Sequence, residues 1–236
     1  MARGGRNPWA GFGTALVLVA VIALGAWLAL RTPSPGPAPS PGAASTPRPD
    51  AVTATVVRVA DGDTLDLAFP GVDGRTRARL LGVDAPEVPG DGRPAQCLAD
   101  EARAALVELA PRGSEVVVDD YGRDRFGRRL VGITTQDGVL VNAELVRRGL
   151  AGPLVVGGDT RLQREVRAAQ AEAAASGVGL HAATGCTIGG RLASGDAAQA
   201  QAVLDDLLAD ERNVLVQGLT PEARDRAIRD ARRLAG

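Results

Sequence analysis

Apolar positions along the chain fall into three regimes. From Asn7 to Leu30 they run almost unbroken, with FGTALVLVAVIALGAWLAL at the heart of the stretch. That run is apolar on every face of a helix and spans about 30 Å, the thickness of a bilayer core. Arg3 and Arg6 precede it and predict an N-terminus inside with the rest of the chain outside. Residues 1–31 therefore read as a retained single-pass membrane anchor or a cleavable signal peptide. Residues 32–50, with seven prolines, cannot build a core and read as an extended spacer reaching up to about 60 Å.

From Ala51 the pattern shortens to alternating runs. VTATVVRV, TLDLAF (64–69), RTRARLLGV (75–83), SEVVVDD (114–120) and RRLVGITT (128–135) read as strands, with a Gly-Val-Asp-Gly turn at 71–74. ADEARAALVELA (99–110) has helical spacing, with Ala102, Ala105, Leu106 and Leu109 on one face. VLVNAELVRRG (139–149) and DTRLQREVRAAQAEAAA (159–175) read as further helices, the second capped by Asp159. This order predicts an α+β, mainly β fold over residues 51–186: a five-stranded barrel of the OB type with three helices. Residues 187–236 predict a helical hairpin. Val203, Leu204, Leu207 and Leu208 face inward on its first helix, and Thr220-Pro221 opens the second.

Charge narrows the function. The chain has no lysine, so its 27 basic residues are all arginine. Between 51 and 186, 16 arginines stand against 19 Asp and Glu, which excludes a generically basic coat for nucleic acid. Any such binding needs a local cluster or a bound cation. One histidine, His181, and no Cys-x-x-Cys exclude a zinc site. The two cysteines, Cys97 and Cys186, suggest one bridge if the chain is exported, or else two buried thiols.

Three stretches carry candidate chemistry: Asp61-Gly62-Asp63-Thr64, the run from Arg79 to Glu87, and Asp124-Arg125-Phe126-Gly127-Arg128. Asp63 and Asp84 are hard oxygen donors suited to Ca²⁺ or Mg²⁺. Glu87 could orient and deprotonate a water. Arg79 and Arg128 could each fork onto a phosphate. Singly, each stretch reads more plainly as a turn, a strand exit or a solvated face. Their order along one barrel is the telling feature.

DGDT, RLLGVDAPE and DRFGRRL, with DGVLVNAELVRRGLA at 137–151, resemble the motifs of the staphylococcal nuclease family from about Ala51 to His181. The resemblance implies Ca²⁺-dependent cleavage of DNA or RNA phosphodiesters that leaves 3′-phosphates. It implies Asp63, Asp84 and the Ala85 carbonyl as metal ligands, Glu87 as general base, and Arg79 and Arg128 on the phosphate. Ala85 stands where the family usually has threonine, and Phe126 and Arg125 replace a tyrosine and a lysine beside the nucleotide. Val155 and Gly157 stand where the family has nucleotide-contacting tyrosines. Tyr121 could stack on a base or anchor its loop.

The expectation is thus a monomeric nuclease acting outside the cytoplasm, membrane-tethered or secreted. The alternatives are an OB-fold module that binds strands without cutting, and an envelope protein that uses the barrel for contacts.

Overall fold

The computed structural model describes residues 51–89, 95–155, 157–209 and 213–236. The expected anchor or signal and the proline-rich linker lie outside the described residues. No described helix is long and apolar enough to cross a membrane.

Five strands close into a barrel: β1 (Val52–Val59), β2 (Thr64–Ala68), β3 (Thr76–Leu80), β5 (Glu115–Arg123) and β6 (Arg129–Thr134). Their order is β1-β2-β3-β6-β5, with β5 returning to β1. β3 and β6 pair in parallel and the other neighbours antiparallel. Alternation explains the interior: Ala54, Val56, Leu65, Leu67, Ala78, Leu80, Val116, Val118 and Ile133 are buried in one apolar core. A register shift between Val56 and Arg58 changes the phase of β1, so Val59 turns inward.

The run RTRARLLGV is not one strand as expected. Gly82 takes a left-handed φ of 84°, which breaks it. The residues beyond form β4 (Val83–Asp84), paired with β7 (Gly152–Pro153) in a separate two-stranded sheet. That break swings Asp84 off the barrel wall.

Three helices accompany the barrel, as expected: α1 (Ala99–Leu109), α2 (Val141–Arg147) and α3 (Gln163–Ser176). α3 begins later than the periodicity suggests. Asp159 does not cap it, because its carboxylate accepts from the Arg161 backbone N–H at 3.0 Å and pairs with the Arg161 guanidinium. Gly177, with φ 62°, ends α3.

The C-terminal segment contains more than a hairpin. It holds α4 (Ile188–Ala193), α5 (Ala197–Ala209), α6 (Val214–Gln217) and α7 (Pro221–Ala235). Thr220 caps α7, accepting from the Ala223 N–H at 3.3 Å. Ile188, Val203, Leu207, Val216, Ala227 and Ala231 form a second apolar core. Leu208 is not inward as expected but 59% exposed. Val203 and Leu207, four apart, set the buried stripe, and the next residue rotates out by about 100°.

This segment is docked on the barrel domain. The Gln170 side chain on α3 donates to the carbonyls of Gly218 (3.0 Å) and Leu219 (3.1 Å). Gly152 meets Gly218 so closely that a Cβ there would lie 2.8 Å from the Gly218 nitrogen. A disulfide joins Cys97 to Cys186, with Cα atoms 5.7 Å apart.

Candidate functional site

The Asp-Gly-Asp turn between β1 and β2 is shaped by close packing. A Cβ on Gly62 would lie 2.7 Å from Ala85 Cβ and 2.8 Å from Ala102 Cβ. Glycine therefore lets the turn sit against both the β4 exit and α1. Asp63 is 3% exposed and fully engaged. It accepts from the Ala85 N–H at 2.9 Å and the Thr64 hydroxyl at 3.0 Å, and its own N–H donates to Asp61 Oδ1 at 3.1 Å.

Arg79, on β3, spans two carboxylates. One terminal nitrogen pairs with Asp63, the other with Asp84 Oδ1 at 2.5 Å. Those charges hold its guanidinium protonated against the opposing effect of burial. Burial, with Asp63 and Glu87 nearby, raises the Asp84 carboxyl despite Arg79. Burial and Asp63 push Asp61 up to about 6, with a further contribution from Glu87. Burial, more than mutual repulsion, is what sets the Asp61 and Asp84 carboxyls high.

Glu87 follows Pro86 on an exposed exit. Its backbone is clamped on both sides by Gln96: the Glu87 N–H donates to Gln96 Oε1 at 2.8 Å, and the Gln96 N–H donates to the Glu87 carbonyl at 2.9 Å. Gln96 stands next to Cys97, so the bridgehead lies beside this clamp. No sequence signal marked Gln96, because its role depends on loop closure across nine residues.

The third motif forms the tight turn between β5 and β6. Asp124 accepts from the backbone N–H groups of Phe126 and Arg128 (both 2.9 Å) and from Arg128 Nε (2.7 Å). Burial would raise its carboxyl, but these donors hold it below the usual carboxylate range. Gly127 supplies a φ of 79°. Phe126 is left at the tip, 69% exposed, with the Arg125 and Arg128 guanidiniums 4.8 and 5.5 Å from its ring centre.

A cavity of about 530 Å³ unites these parts, lined by Arg79, Glu87, Arg123, Asp124, Arg125, Phe126 and Arg128, with Val155 and Gly157 on its far wall. Asp63 and Asp84 stand behind it through Arg79. Tyr121 lies elsewhere: it packs on the barrel core with Arg161 4.3 Å from its ring centre. Arg123 is an addition that the motifs did not single out. His181 is half-buried, and burial lowers its imidazole.

Among the described residues, no three His, Cys, Asp or Glu side chains converge as a ready metal cage. The donor set is instead the buried Asp63 and the half-buried Asp84 with Asp61 adjacent, all hard oxygens in excess of their one cation. That chemistry fits a divalent ion such as Ca²⁺ or Mg²⁺ completed by carbonyl and water oxygens.

Fold and site together define an OB-type barrel protein with a buried acid–arginine cluster opening on an arginine-lined cavity. Residues 77–183, a little under half of the chain, match the family described as staphylococcal nuclease homologue, so this stretch is similar to that family. The chain is 39% identical over 99 residues to an uncharacterized endonuclease of Escherichia coli O157:H7, covering 41% of this chain and 57% of that protein. It is 36% identical over 103 residues to endonuclease YhcR of Bacillus subtilis, covering 41% of this chain and 8% of that protein. The chain thus spans little more than half of the first relative and a small part of the second. Asp63 and β1 precede the matched residues, and α4 to α7 follow them.

Proposed function

We propose that this chain is a divalent-metal-dependent nuclease, with Ca²⁺ as the working ion, that hydrolyses phosphodiester bonds of DNA, RNA or both. The observation that carries this reading is the Asp63–Arg79–Asp84 cluster opening on the cavity that also holds Glu87 and Arg128. Asp63, Asp84 and the Ala85 carbonyl would hold the metal, which when bound supplies positive charge beside the phosphate.

The chain's own groups do the rest. Glu87 takes a proton from the attacking water. The water oxygen bonds to phosphorus as the bond to the 5′ oxygen breaks, and that oxygen takes a proton from solvent. A 3′-phosphate and a 5′-hydroxyl result. Arg128, aimed by Asp124, forks onto the phosphate as its charge grows. Arg79 joins it once Asp63 and Asp84 are neutralised otherwise. The reading places the domain outside the cytoplasm, carried by the N-terminal apolar run as anchor or signal, and acting as a monomer.

The test incubates the full-length oxidised chain with denatured DNA and with RNA in calcium, in magnesium and in chelator. Calcium-dependent breakdown, lost in chelator and cut by a hundredfold or more in Glu87→Gln with strand binding retained, is the expected result (~10²–10⁴-fold for a general base). Normal turnover in Glu87→Gln removes the base assignment. Salt-sensitive binding with no cleavage by folded protein favours a strand-binding module instead.

A further inference from the structure

Beside the site, three arginines converge on one buried carboxylate. Asp66, 1% exposed, lies on β2 directly opposite Arg58 of β1 and Arg77 of β3. Arg77 Nε donates to its Oδ1 at 2.5 Å, Arg58 reaches Oδ2 through Nη2 at 3.1 Å, and Arg75 Nε stands 3.4 Å from Oδ2. Seating one carboxylate needs one partner. Three leave a surplus of two positive charges on side chains 43–63% exposed. Arg75 and Arg77 both face Asp66 through Nε. Their terminal nitrogens have no other partner among the described residues, so two forks are aimed from behind with their outer edges uncommitted.

These forks border a cavity of about 360 Å³ lined by Asp66, Arg75, Arg77, Phe126, Gly127 and Arg128. Phe126 and Arg128 also line the cavity that holds Glu87, so the two spaces meet at the exposed ring and at the phosphate-facing arginine. Strand geometry supplies the direction. Arg75, Arg77 and Arg79 alternate along β3 and its approach, so they follow one face at about 7 Å per step. That step is close to the interval between successive phosphates of an extended strand.

Resting on the nuclease reading above, we propose that Arg75 and Arg77 form a phosphate-binding subsite for the strand flanking the cleaved bond, with Phe126 as the wall shared by the two positions. Long strands then engage both cavities, and a single-nucleotide ester engages only one.

The experiment compares kcat/KM on a long single strand with that on a nitrophenyl ester of a nucleotide, in full-length wild type, Arg75→Ala, Arg77→Ala and the double variant. Arg58→Ala is the control, because Arg58 touches Asp66 but does not line the cavity. The subsite predicts a fall of about tenfold in the long-to-short ratio for the double variant. It also predicts a shallower dependence of log kcat/KM on log salt, by about 1.4 for two lost phosphate contacts. Arg58→Ala keeps the wild-type ratio. An unchanged ratio in the double variant, or an equal fall in Arg58→Ala, overturns the subsite. If wild type cleaves neither substrate, the nuclease reading fails separately, and strand affinity in chelator decides. Equal affinity in wild type and the double variant then overturns the subsite, and a salt-sensitive loss supports it. Thermal midpoints of every variant show whether the barrel is intact.

Discussion

Asn142 is the side chain on which the barrel and the metal-side loop depend together, and its replacement has a calculable cost. The residue is fully buried on α2. Its Oδ1 accepts from the Ile133 N–H at 3.0 Å, and its Nδ2 donates to the carbonyls of Leu81 (2.9 Å) and Val131 (3.0 Å). Asn142→Ala strips all three. The Val131 carbonyl keeps its bond from the Leu81 N–H at 2.8 Å, so its loss is small. The Ile133 N–H and the Leu81 carbonyl are left buried without Asn142, at about 1–3 kcal/mol each. The sum is about 2–6 kcal/mol, a large share of the roughly 5–15 kcal/mol that holds a domain together. Asn142→Asp should cost no less. It keeps the acceptor for Ile133 but turns a carboxylate oxygen toward two carbonyls. Urea unfolding of wild type and both variants measures this. A loss below about 1 kcal/mol in Asn142→Ala, with an unchanged denaturant slope, would refute the reasoning. Because Leu81 leads through Gly82 to Asp84, metal affinity should weaken in whatever fraction of the variant remains folded.

Three further outcomes follow from the geometry. Opening the disulfide by Cys97→Ser frees a loop of 89 residues and should lower stability by about 4–5 kcal/mol on chain-entropy grounds, read as a reducing-agent-sensitive unfolding midpoint that the variant lacks. Burial alone would raise the Asp66 carboxyl, yet bonds from Arg77 and Arg58 hold it low. Its stabilising effect is therefore complete above the unfolded value near pH 4 and is lost as pH falls through the lower folded value. Asp66→Asn should be less stable at neutral pH and should show a flatter acid limb, and an acid limb identical to wild type would count against the cluster. Phe126→Ala should weaken single-strand binding by about 1–3 kcal/mol while leaving the unfolding midpoint in place, and unaltered affinity would remove the ring as a stacking surface.

Most of the barrel was legible because its strands are half-buried, so alternation tracks the wall: Leu65 and Leu67, or Val116 and Val118, mark their faces unaided. The site motifs were legible because glycine and aspartate at fixed offsets set tight turns, as in Gly62 against Ala85 and Asp124 beneath Phe126. What alternation could not show was where a strand ends for a backbone reason. Gly82 splits β3 from β4 although the apolar run continues through it. β5 runs on to Arg123 through polar residues because β6 pairs with it that far. Gln96 and the Asp66 arginines were missed for another reason: their partners lie across the loop or across strands, and register is not written in any single segment. The short helices α4 and α6 fall below the length at which periodicity can speak.

The bridge between Cys97 and Cys186 also divides the chain mechanically. The residues between the two cysteines form a covalent ring, and tension applied to the chain ends passes through the bond and bypasses them. Roughly 300 Å of contour, at about 3.4 Å per residue over that separation of 89, cannot be drawn out while the bond stands. Arg128 belongs to the ring. Asp63, Arg79, Asp84 and Glu87 belong to the arm before it. A pull therefore draws out β1 to β3 together with the acidic half of the site and opens the barrel, while β5, β6 and Arg128 stay inside the ring. Extension curves in an optical trap, recorded before and after reduction, read that hidden length directly.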